Sequence, residues 1–365
     1  MELNILKKEF REKVFSPSRE DVKNSSYGYS LFQANINRFL SNIRIEDYEY
    51  FYKQLVYNQY LVTFDQNDFE KLDNVNIVNN SSLEEPTSIL TPTIYATFHF
   101  GSYRVVNSYL LKQGLKVVLI IDEHAFNSQK HTYEDTYKKI KEYANKNNSD
   151  YIILNVKDAS SIFKLKELLK KGYALIVYLD GNTGVQKGKD FKKGYSNINF
   201  LGSNINVKNG IAVLGWLLKA TIIPVLSHWD KNENISIEFY DEIKPLDYSD
   251  KINFIEQSIL KLYSILENNV IENPEQWECW SYIHEWFERN EIYPYEIQNA
   301  KTLKWILNSK RYSLFSLKNE YYFFDKYSYR AFPIDSDTFI KIEKEDISKI
   351  EKSKLDFLLT KNVII

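Results

Sequence analysis

The chain has a single cysteine, Cys279, among its 365 residues. An internal disulfide and a metal site built from several cysteines are therefore both excluded. The low cysteine content is consistent with a reducing compartment, and we expect a cytoplasmic protein. The 47 basic and 49 acidic residues leave a net charge of −2, so no overall field attracts nucleic acid or an anionic membrane.

Long apolar runs are also missing. The first 15 residues lack the apolar core of a signal peptide. No run approaches the roughly 18 consecutive apolar residues that a spanning helix needs, so we expect no transmembrane segment. The Walker A motif, the dinucleotide-binding glycine motif and the G-x-S-x-G motif are absent as well. His124 and His131 have no carboxylate at a spacing suited to a metal ion, and we predict no metal.

The sequence does contain enough hydrophobic residues, 44% of the total, to bury a large core. From Ile94 onwards, short runs of Val, Ile and Leu alternate with helical patterns. This alternation is typical of parallel strands covered by helices on both faces. The predicted fold class is therefore α/β, with a mostly parallel central sheet flanked by helices. Strands are expected over 94–98, 116–122, 151–156, 173–180 and 221–226, with an edge strand over 234–241. Helices are expected over 102–114, 130–146, 158–171, 207–219 and about 250–270.

Three domains are predicted along the chain. Residues 1–85 form a mainly helical N-terminal region, in which the tract from Asn74 to Pro92 is expected to be a linker. Residues 86–290 form the α/β domain. Residues 291–365 form a small α+β module, because two aromatic strands joined through Lys318 and Asn319 predict a hairpin and charged helical stretches follow it.

His99 lies at the predicted carboxyl end of the first strand of the α/β domain, within the sequence TFHFGSYR. Open α/β sheets place their ligand crevices at these strand ends. Imidazole accepts a proton near neutral pH, and Gly101 would let a substrate approach closely. A histidine satisfied by its neighbours, with a structural role, is the alternative interpretation.

Four segments with this arrangement occur in order: FHFGSYR at 98–104, YLDGNTG at 178–184, NFLGSNINVKNGIAVLGWLLKATIIPV at 199–225 and NPEQWECWSYIHEWFER at 273–289. Together they resemble the lysophospholipid acyltransferase superfamily, and within it the branch of lipid A lauroyl/myristoyl acyltransferases. The resemblance covers about residues 90–290. It implies an acyltransferase-like α/β fold for that part of the chain.

The resemblance also implies a role for His99. It would remove a proton from an acceptor nucleophile that attacks an acyl thioester, with acyl-CoA or an acyl carrier protein as cosubstrate and no tightly bound cofactor. The family pairs this histidine with an acidic residue five positions later, and here that position is Arg104. An acidic partner orients the ring and stabilises the imidazolium, whereas a nearby guanidinium lowers the basicity of a histidine.

Three interpretations of Arg104 are open. In the first, another carboxylate replaces the missing acid, with Asp180 as the leading candidate and Asp122 or Glu123 next. In the second, the acceptor is an amine, or the reaction needs less assistance from a base. In the third, acyl transfer is lost and the protein binds a ligand or catalyses a different reaction. Arg104 itself either holds a phosphate or carboxylate or forms an ordinary ion pair.

The predicted catalytic residues are thus His99 and Asp180. Lys187 and Lys189 lie in the loop after Asp180 and would receive an acidic carrier protein or the phosphate of a phosphopantetheine arm; a solvated loop is the alternative. His228 follows a predicted strand and would face the same crevice. Trp277, Trp280, Trp286 and His284 are interpreted as core. The predicted substrate-binding residues are Gly101, Ser102, Arg104, Lys187, Lys189 and His228.

The predicted function is transfer of an acyl group from a thioester to a soluble acceptor. The lipid A enzymes carry a membrane anchor that this sequence lacks. The module at 291–365 resembles the peptide-recognition domains of ribosomal-peptide maturation proteins, which bind a peptide as an added strand. A peptide or natural-product intermediate is therefore the favoured acceptor. The alternatives are a diverged binding or scaffold protein in peptide natural-product maturation and a peripheral lysolipid or glycolipid acyltransferase.

Overall fold

The computed structural model describes residues 2–79, 92–144, 149–156, 158, 160–181, 194–288 and 305–365. These residues form two compact units, each assembled from separate parts of the chain. The first unit contains Met1–Lys7, Leu55–Phe200 and Asn204–Cys279. The second unit contains Lys8–Gln54, Leu201–Ser203 and Trp280–Ile365.

The helices and strands of the described residues are numbered in chain order. The helices are α1 Glu2–Phe15, α2 Arg19–Phe39, α3 Tyr48–Asp65, α4 Phe69–Asp73, α5 Tyr103–Lys112, α6 Glu123–Ala144, α7 Ser161–Lys170, α8 Gly210–Leu218, α9 Lys251–Glu272, α10 Ser336–Glu343 and α11 Lys352–Thr360. The strands are β1 Asn76–Asn79, β2 Thr93–Thr97, β3 Lys116–Ile121, β4 Asp150–Asn155, β5 Tyr173–Tyr178, β6 Tyr195–Phe200, β7 Ser203–Lys208, β8 Thr221–Trp229, β9 Ile235–Phe239, β10 Tyr312–Leu317, β11 Glu320–Asp325 and β12 Arg330–Ile334.

The first unit is built on a seven-stranded sheet in the order β1-β9-β8-β2-β5-β3-β4. All neighbouring strands are parallel except β8 and β9, which are antiparallel. Every residue of β2 is buried, as expected for a central strand covered on both faces. The prediction of an α/β fold with a mostly parallel sheet is confirmed. The order places β2 and β5 side by side although β3 and β4 separate them in sequence.

Three local expectations were wrong. The tract expected to be a linker contains the short strand β1, which pairs with β9. Consequently β9 is not the edge strand that its sequence suggested, because β1 covers its free side. The region before 207, expected to be a loop, contains the strands β6 and β7 of a two-stranded sheet. All three errors concern short strands whose alternating Asn and Ser residues hide the apolar pattern.

The second unit contains a three-stranded antiparallel sheet in the order β10-β11-β12. Lys318 and Asn319 connect β10 to β11 with φ values of 49° and 65°, the left-handed conformation of a tight hairpin turn. This confirms the predicted hairpin. Tyr27 of α2 packs on Phe315 of β10, with ring centroids 5.0 Å apart. The helices α10 and α11 complete a separate apolar cluster around Phe323.

Among the helices of the described residues, none combines the length and the apolar character needed to cross a membrane.

Candidate active site

The carboxyl ends of β2 and β5 bring the two predicted catalytic residues together. Thr97, the last residue of β2, lies opposite Tyr178, the last residue of β5. His99 and Asp180 each follow two positions later. Because paired parallel strands end at the same edge of the sheet, their side chains meet there.

The ring of His99 is held by the carboxylate of Asp180. The distance between His99 Nδ1 and Asp180 Oδ1 is 2.7 Å, and the backbone N–H of His99 also donates to both carboxylate oxygens at 3.0 Å. The side chain of Asp180 is fully buried, whereas that of His99 is 20% exposed. A carboxylate at Nδ1 favours the tautomer that carries its proton there, which leaves Nε2 with a free lone pair.

A segment following α9 supplies further donors to Asp180. Trp277 Nε1 lies 2.9 Å from Asp180 Oδ2, and Cys279 Sγ lies 3.1 Å from the same oxygen. The segment is held by backbone hydrogen bonds from Gly101 N–H to Gln276 and from Glu278 N–H to His99. Trp277 is buried, as predicted for a core residue, but its indole N–H also satisfies a buried carboxylate.

These contacts shift the pKa of both partners. Burial alone lowers the pKa of His99, but the negative charge of Asp180 and its hydrogen bond outweigh burial and raise it above the ordinary value. Burial raises the pKa of Asp180, but His99, Trp277 and Cys279 together lower it below the ordinary value. Asp180 is therefore ionised at neutral pH, and His99 is a stronger base than an isolated imidazole.

His99 opens onto a cleft, here called the His99 cleft, in which the space between the walls, including solvent at its open side, is about 180 Å³. Its walls combine apolar and polar side chains and include the two carboxylates Glu275 and Glu278. Tyr103 donates to Glu278 over 3.1 Å, and burial raises the pKa of Glu275. The lining residues are Leu55, Asn58, Gln59, Val62, His99, Gly101, Tyr103, Trp229, Glu275, Gln276 and Glu278.

Gly101 is required by the backbone at this point. Its φ is +56°, which L residues rarely adopt, and a Cβ there would lie 2.1 Å from the carbonyl oxygen of Ser227 on β8. The absent side chain lets the segment after His99 lie directly on β8. Gly101 also lines the His99 cleft, as predicted, although its main role is this close packing.

Ser102 is fully buried and does not line the His99 cleft. Its hydroxyl donates to Asp65 Oδ2 over 2.9 Å. Asp65 also accepts from Trp229 Nε1 at 2.7 Å and from Lys71 at 2.8 Å. This group of hydrogen bonds ties α3 and α4 to the loop that carries His99.

Arg104 does not contact Asp180. Its guanidinium donates to Gln66 over 2.8 Å and to Gln129 over 3.3 Å. Asp122, a candidate replacement for the missing acid, accepts instead from the backbone N–H groups of His124 and Ala125 at the start of α6. Of the carboxylates considered from the sequence, Asp180 is the one hydrogen-bonded to the ring of His99.

His228 on β8 pairs with Glu238 on β9, with 3.0 Å between Nε2 and Oε2. It is not among the residues that line the His99 cleft. Lys187 and Lys189 lie outside the described residues.

His99, Asp180 and Cys279 bring three possible metal ligands within 4.8 Å of one another. A metal ion at this position would have to replace the hydrogen bonds that Asp180 accepts from the His99 ring and the Cys279 thiol. Trp277 Nε1 and the backbone N–H of His99, which also point at the carboxylate, are donors that cannot ligate a cation. This donor set fits a hydrogen-bonded carboxylate better than a metal centre.

Several residues of the site were not predicted. Asp65, Glu275, Glu278 and Cys279 were not singled out, because each lies far in sequence from His99. No periodic pattern marked Trp277 and Cys279 as partners of Asp180, because they lie in and between short 3-10 helices.

The sequence matches no protein-family model, and the comparison with curated proteins finds no match. The geometry of the site and the motifs of the sequence are therefore the basis for assigning a function.

Proposed function

We propose that the protein is an acyltransferase that moves an acyl group from an acyl thioester to a soluble acceptor, with His99 as general base. One observation carries the proposal: the His99 ring is held through Nδ1 by buried Asp180 and lines a cleft. No hydrogen bond to Nε2 is present among the described residues, so this nitrogen is available to a substrate. The order of the four sequence motifs supports the same chemistry.

In the proposed reaction, an acceptor hydroxyl or amine approaches Nε2 of His99. As its oxygen or nitrogen bonds to the thioester carbonyl carbon, His99 takes its proton, and Asp180 stabilises the resulting imidazolium. The tetrahedral intermediate then expels the thiolate as the carbon–sulfur bond breaks. The thiolate receives the proton from His99, so the free thiol, the acylated acceptor and neutral His99 are regenerated.

The position of Asp180 favours the first interpretation of Arg104. The acidic partner required by the chemistry comes from the end of β5 and not from α5, and its hydrogen bond to the ring is 2.7 Å long. An arginine at the family's acidic position therefore does not by itself argue against catalysis.

The test is incubation of the full-length protein with acyl-CoA and acyl carrier protein thioesters in the presence of amine, hydroxyl and peptide acceptors. We expect a product heavier than the acceptor by the acyl group, together with release of free thiol. His131→Ala is the control, because this histidine lies on α6 with 93% of its side chain exposed.

We expect His99→Ala to abolish product formation and His131→Ala to retain it. Turnover that survives His99→Ala would exclude the proposed base. Absence of turnover with every donor and acceptor would favour a binding protein that retains the fold.

A second candidate function is peptide binding by the second unit. β12 pairs with β11 and with no other strand of the described residues, and Arg330 to Pro333 are exposed. An extended peptide would pair with this strand edge. Hydrogen exchange of the full-length protein with candidate acceptor peptides tests this: protection of the β12 amides supports the function, and unchanged exchange contradicts it.

A further inference from the structure

A second cleft lies between α5, α6 and β4 in the first unit and is called the Arg104 cleft. The space between its walls, including the solvent at its open side, is about 260 Å³. α5 contributes Arg104, Asn107, Ser108 and Leu111, whose spacing places them on one face of the helix. Tyr133 and Thr136 of α6 and Tyr151 of β4 form the opposite walls. His99 is not among its lining residues.

Arg104 brings a positive charge into this cleft without a carboxylate partner among the described residues. Its guanidinium donates to the neutral amides of Gln66 and Gln129, and its other hydrogen-bond partner, Tyr103, is a neutral hydroxyl. The rings of Tyr103 and Tyr133 lie 5.8 Å and 5.7 Å from the guanidinium carbon. Buried charges in proteins are normally paired, so an arginine surrounded by neutral groups lacks its usual counter-ion.

Three buried polar atoms of residues that line this cleft have no hydrogen-bond partner among the described residues. They are Arg104 Nε, Asn107 Oδ1 and the hydroxyl oxygen of Tyr151. Asn107 is only 6% exposed, so bulk water does not readily satisfy it. Unpaired buried polar atoms are costly, so the three atoms around this cavity need partners that the described residues do not supply.

The protonation states determine which ligand would fit. Burial raises the pKa of Tyr151 well above the ordinary value, so its hydroxyl is neutral and can donate at neutral pH. Arg104 Nε also donates, whereas Asn107 Oδ1 accepts. The missing ligand would therefore carry an anionic oxygen for the two donors and a hydroxyl or N–H group for Asn107.

We propose that the Arg104 cleft is a binding site for an oxyanion, either a carboxylate or a phosphate, on a molecule that also bears a hydrogen-bond donor. Arg104 Nε and the Tyr151 hydroxyl donate to the anion, and Asn107 accepts from the neighbouring donor group. The site is separate from the His99 cleft and does not depend on acyl transfer.

The test is isothermal titration calorimetry of the full-length protein with inorganic phosphate and, separately, with acetate, at constant ionic strength. We expect saturable binding of at least one anion, and the preferred anion shows which oxyanion the site takes. Arg104→Met should weaken this binding at least about tenfold, because it removes the charge and its donors while keeping a similar length. Lys112→Met is the matched control, because Lys112 lies on the same helix but pairs with Asp73 outside the cleft.

Tyr151→Phe provides a second variant that removes one hydroxyl and leaves the ring in place. We expect weaker anion binding in this variant and unchanged binding in Lys112→Met. Failure of both anions to bind wild-type protein would overturn the proposal, as would equal binding by wild type and Arg104→Met. Unchanged binding in Tyr151→Phe would overturn the assignment of that hydroxyl as a donor.

Discussion

Two of the histidine–carboxylate pairs in the first unit look alike at first inspection. His99 pairs with Asp180 over 2.7 Å, and His228 pairs with Glu238 over 3.0 Å. Both histidine side chains are 20% exposed, and both lie at or near the ends of neighbouring strands. The pairs differ in which ring nitrogen is used: Nδ1 in His99 and Nε2 in His228.

The surroundings of the carboxylates differ more. Asp180 is fully buried and accepts hydrogen bonds from the His99 ring and backbone, from Trp277 and from Cys279. Glu238 is 18% exposed and accepts from His228 and from the Tyr240 hydroxyl. A contact between histidine and carboxylate is therefore not sufficient to define a catalytic pair. The burial of the acid and the position of the histidine in the wall of a cleft distinguish the first pair from the second.

The largest difference should appear in activity. His99→Gln is expected to lower the rate of acyl transfer by about 10²–10⁴-fold, the usual contribution of a general base. His228→Gln should change the rate far less, because its imidazole does not line the His99 cleft. Rates of thiol release under saturating donor check this prediction. Similar losses in the two variants would show that the comparison does not identify the base and would support the sequence assignment of His228 to substrate binding.

Removal of Asp180 should lower the free energy of unfolding more than removal of Glu238. Asp180→Ala leaves the buried donors of Trp277 and His99 unpaired and should cost about 3–5 kcal/mol of unfolding free energy, as for other broken buried pairs. Glu238→Ala should cost about 1 kcal/mol or less, because its pair is partly exposed to water. Urea denaturation of the two variants measures this. An equal loss of unfolding free energy in the two variants would show that the hydrogen bonds of Asp180 do not stabilise the fold more than those of Glu238.

The pH dependence of His99 should depend on Asp180. In the wild type the pKa of His99 is raised, so activity should fall as the pH drops through that raised value and the ring becomes protonated. The contribution of His99 to the free energy of unfolding is fully present below about pH 6.5. It is lost as the pH rises through the pKa that His99 has in the folded protein. In Asp180→Asn the pKa of His99 should fall, because burial still lowers it and the negative charge is gone. NMR titration of the His99 ring checks the direction, and an unchanged pKa would contradict it.

The smallest expected change is a shift of the His99 pKa when Arg104 is replaced. The positive charge of Arg104 lowers the pKa of His99. Arg104→Gln should therefore raise this pKa slightly, in the opposite direction to Asp180→Asn and by less. The same NMR titration measures it. A fall in the His99 pKa would show that Arg104 acts on the ring through structure and not through its charge.

The sequence predicted the parts of this site that depend on local pattern. Short apolar runs predicted the strands, and their ends located both His99 and Asp180 at one edge of the sheet. The contact between these residues was one of several candidates, because 81 positions separate them. The adjacency of β2 and β5 depends on the order of strands in the sheet, which apolar periodicity does not reveal.

The rest depends on tertiary contacts that leave little trace in the local sequence. Cys279 and Trp277 reach Asp180 because the backbone of 276–278 bonds to the residues around His99. Arg104 was expected beside His99, five positions away. Its side chain instead lies with Gln66 and Gln129, on the face of α5 that packs towards α6. The side on which a side chain lies is set by the helix and its neighbours, not by distance along the chain.

Asp180 holds His99 at two points, the ring nitrogen and the peptide N–H of the same residue. Rotation of the ring away from the cleft would break the hydrogen bond from Nδ1 to Asp180. The hydrogen bond from the backbone N–H of His99 to Asp180 would remain. The hydrogen bond from Nδ1 to Asp180 restrains the imidazole before any substrate arrives, so less conformational entropy remains to be lost on binding. A rigid acceptor matched to that fixed direction of Nε2 should therefore react faster than a flexible one of the same nucleophilicity.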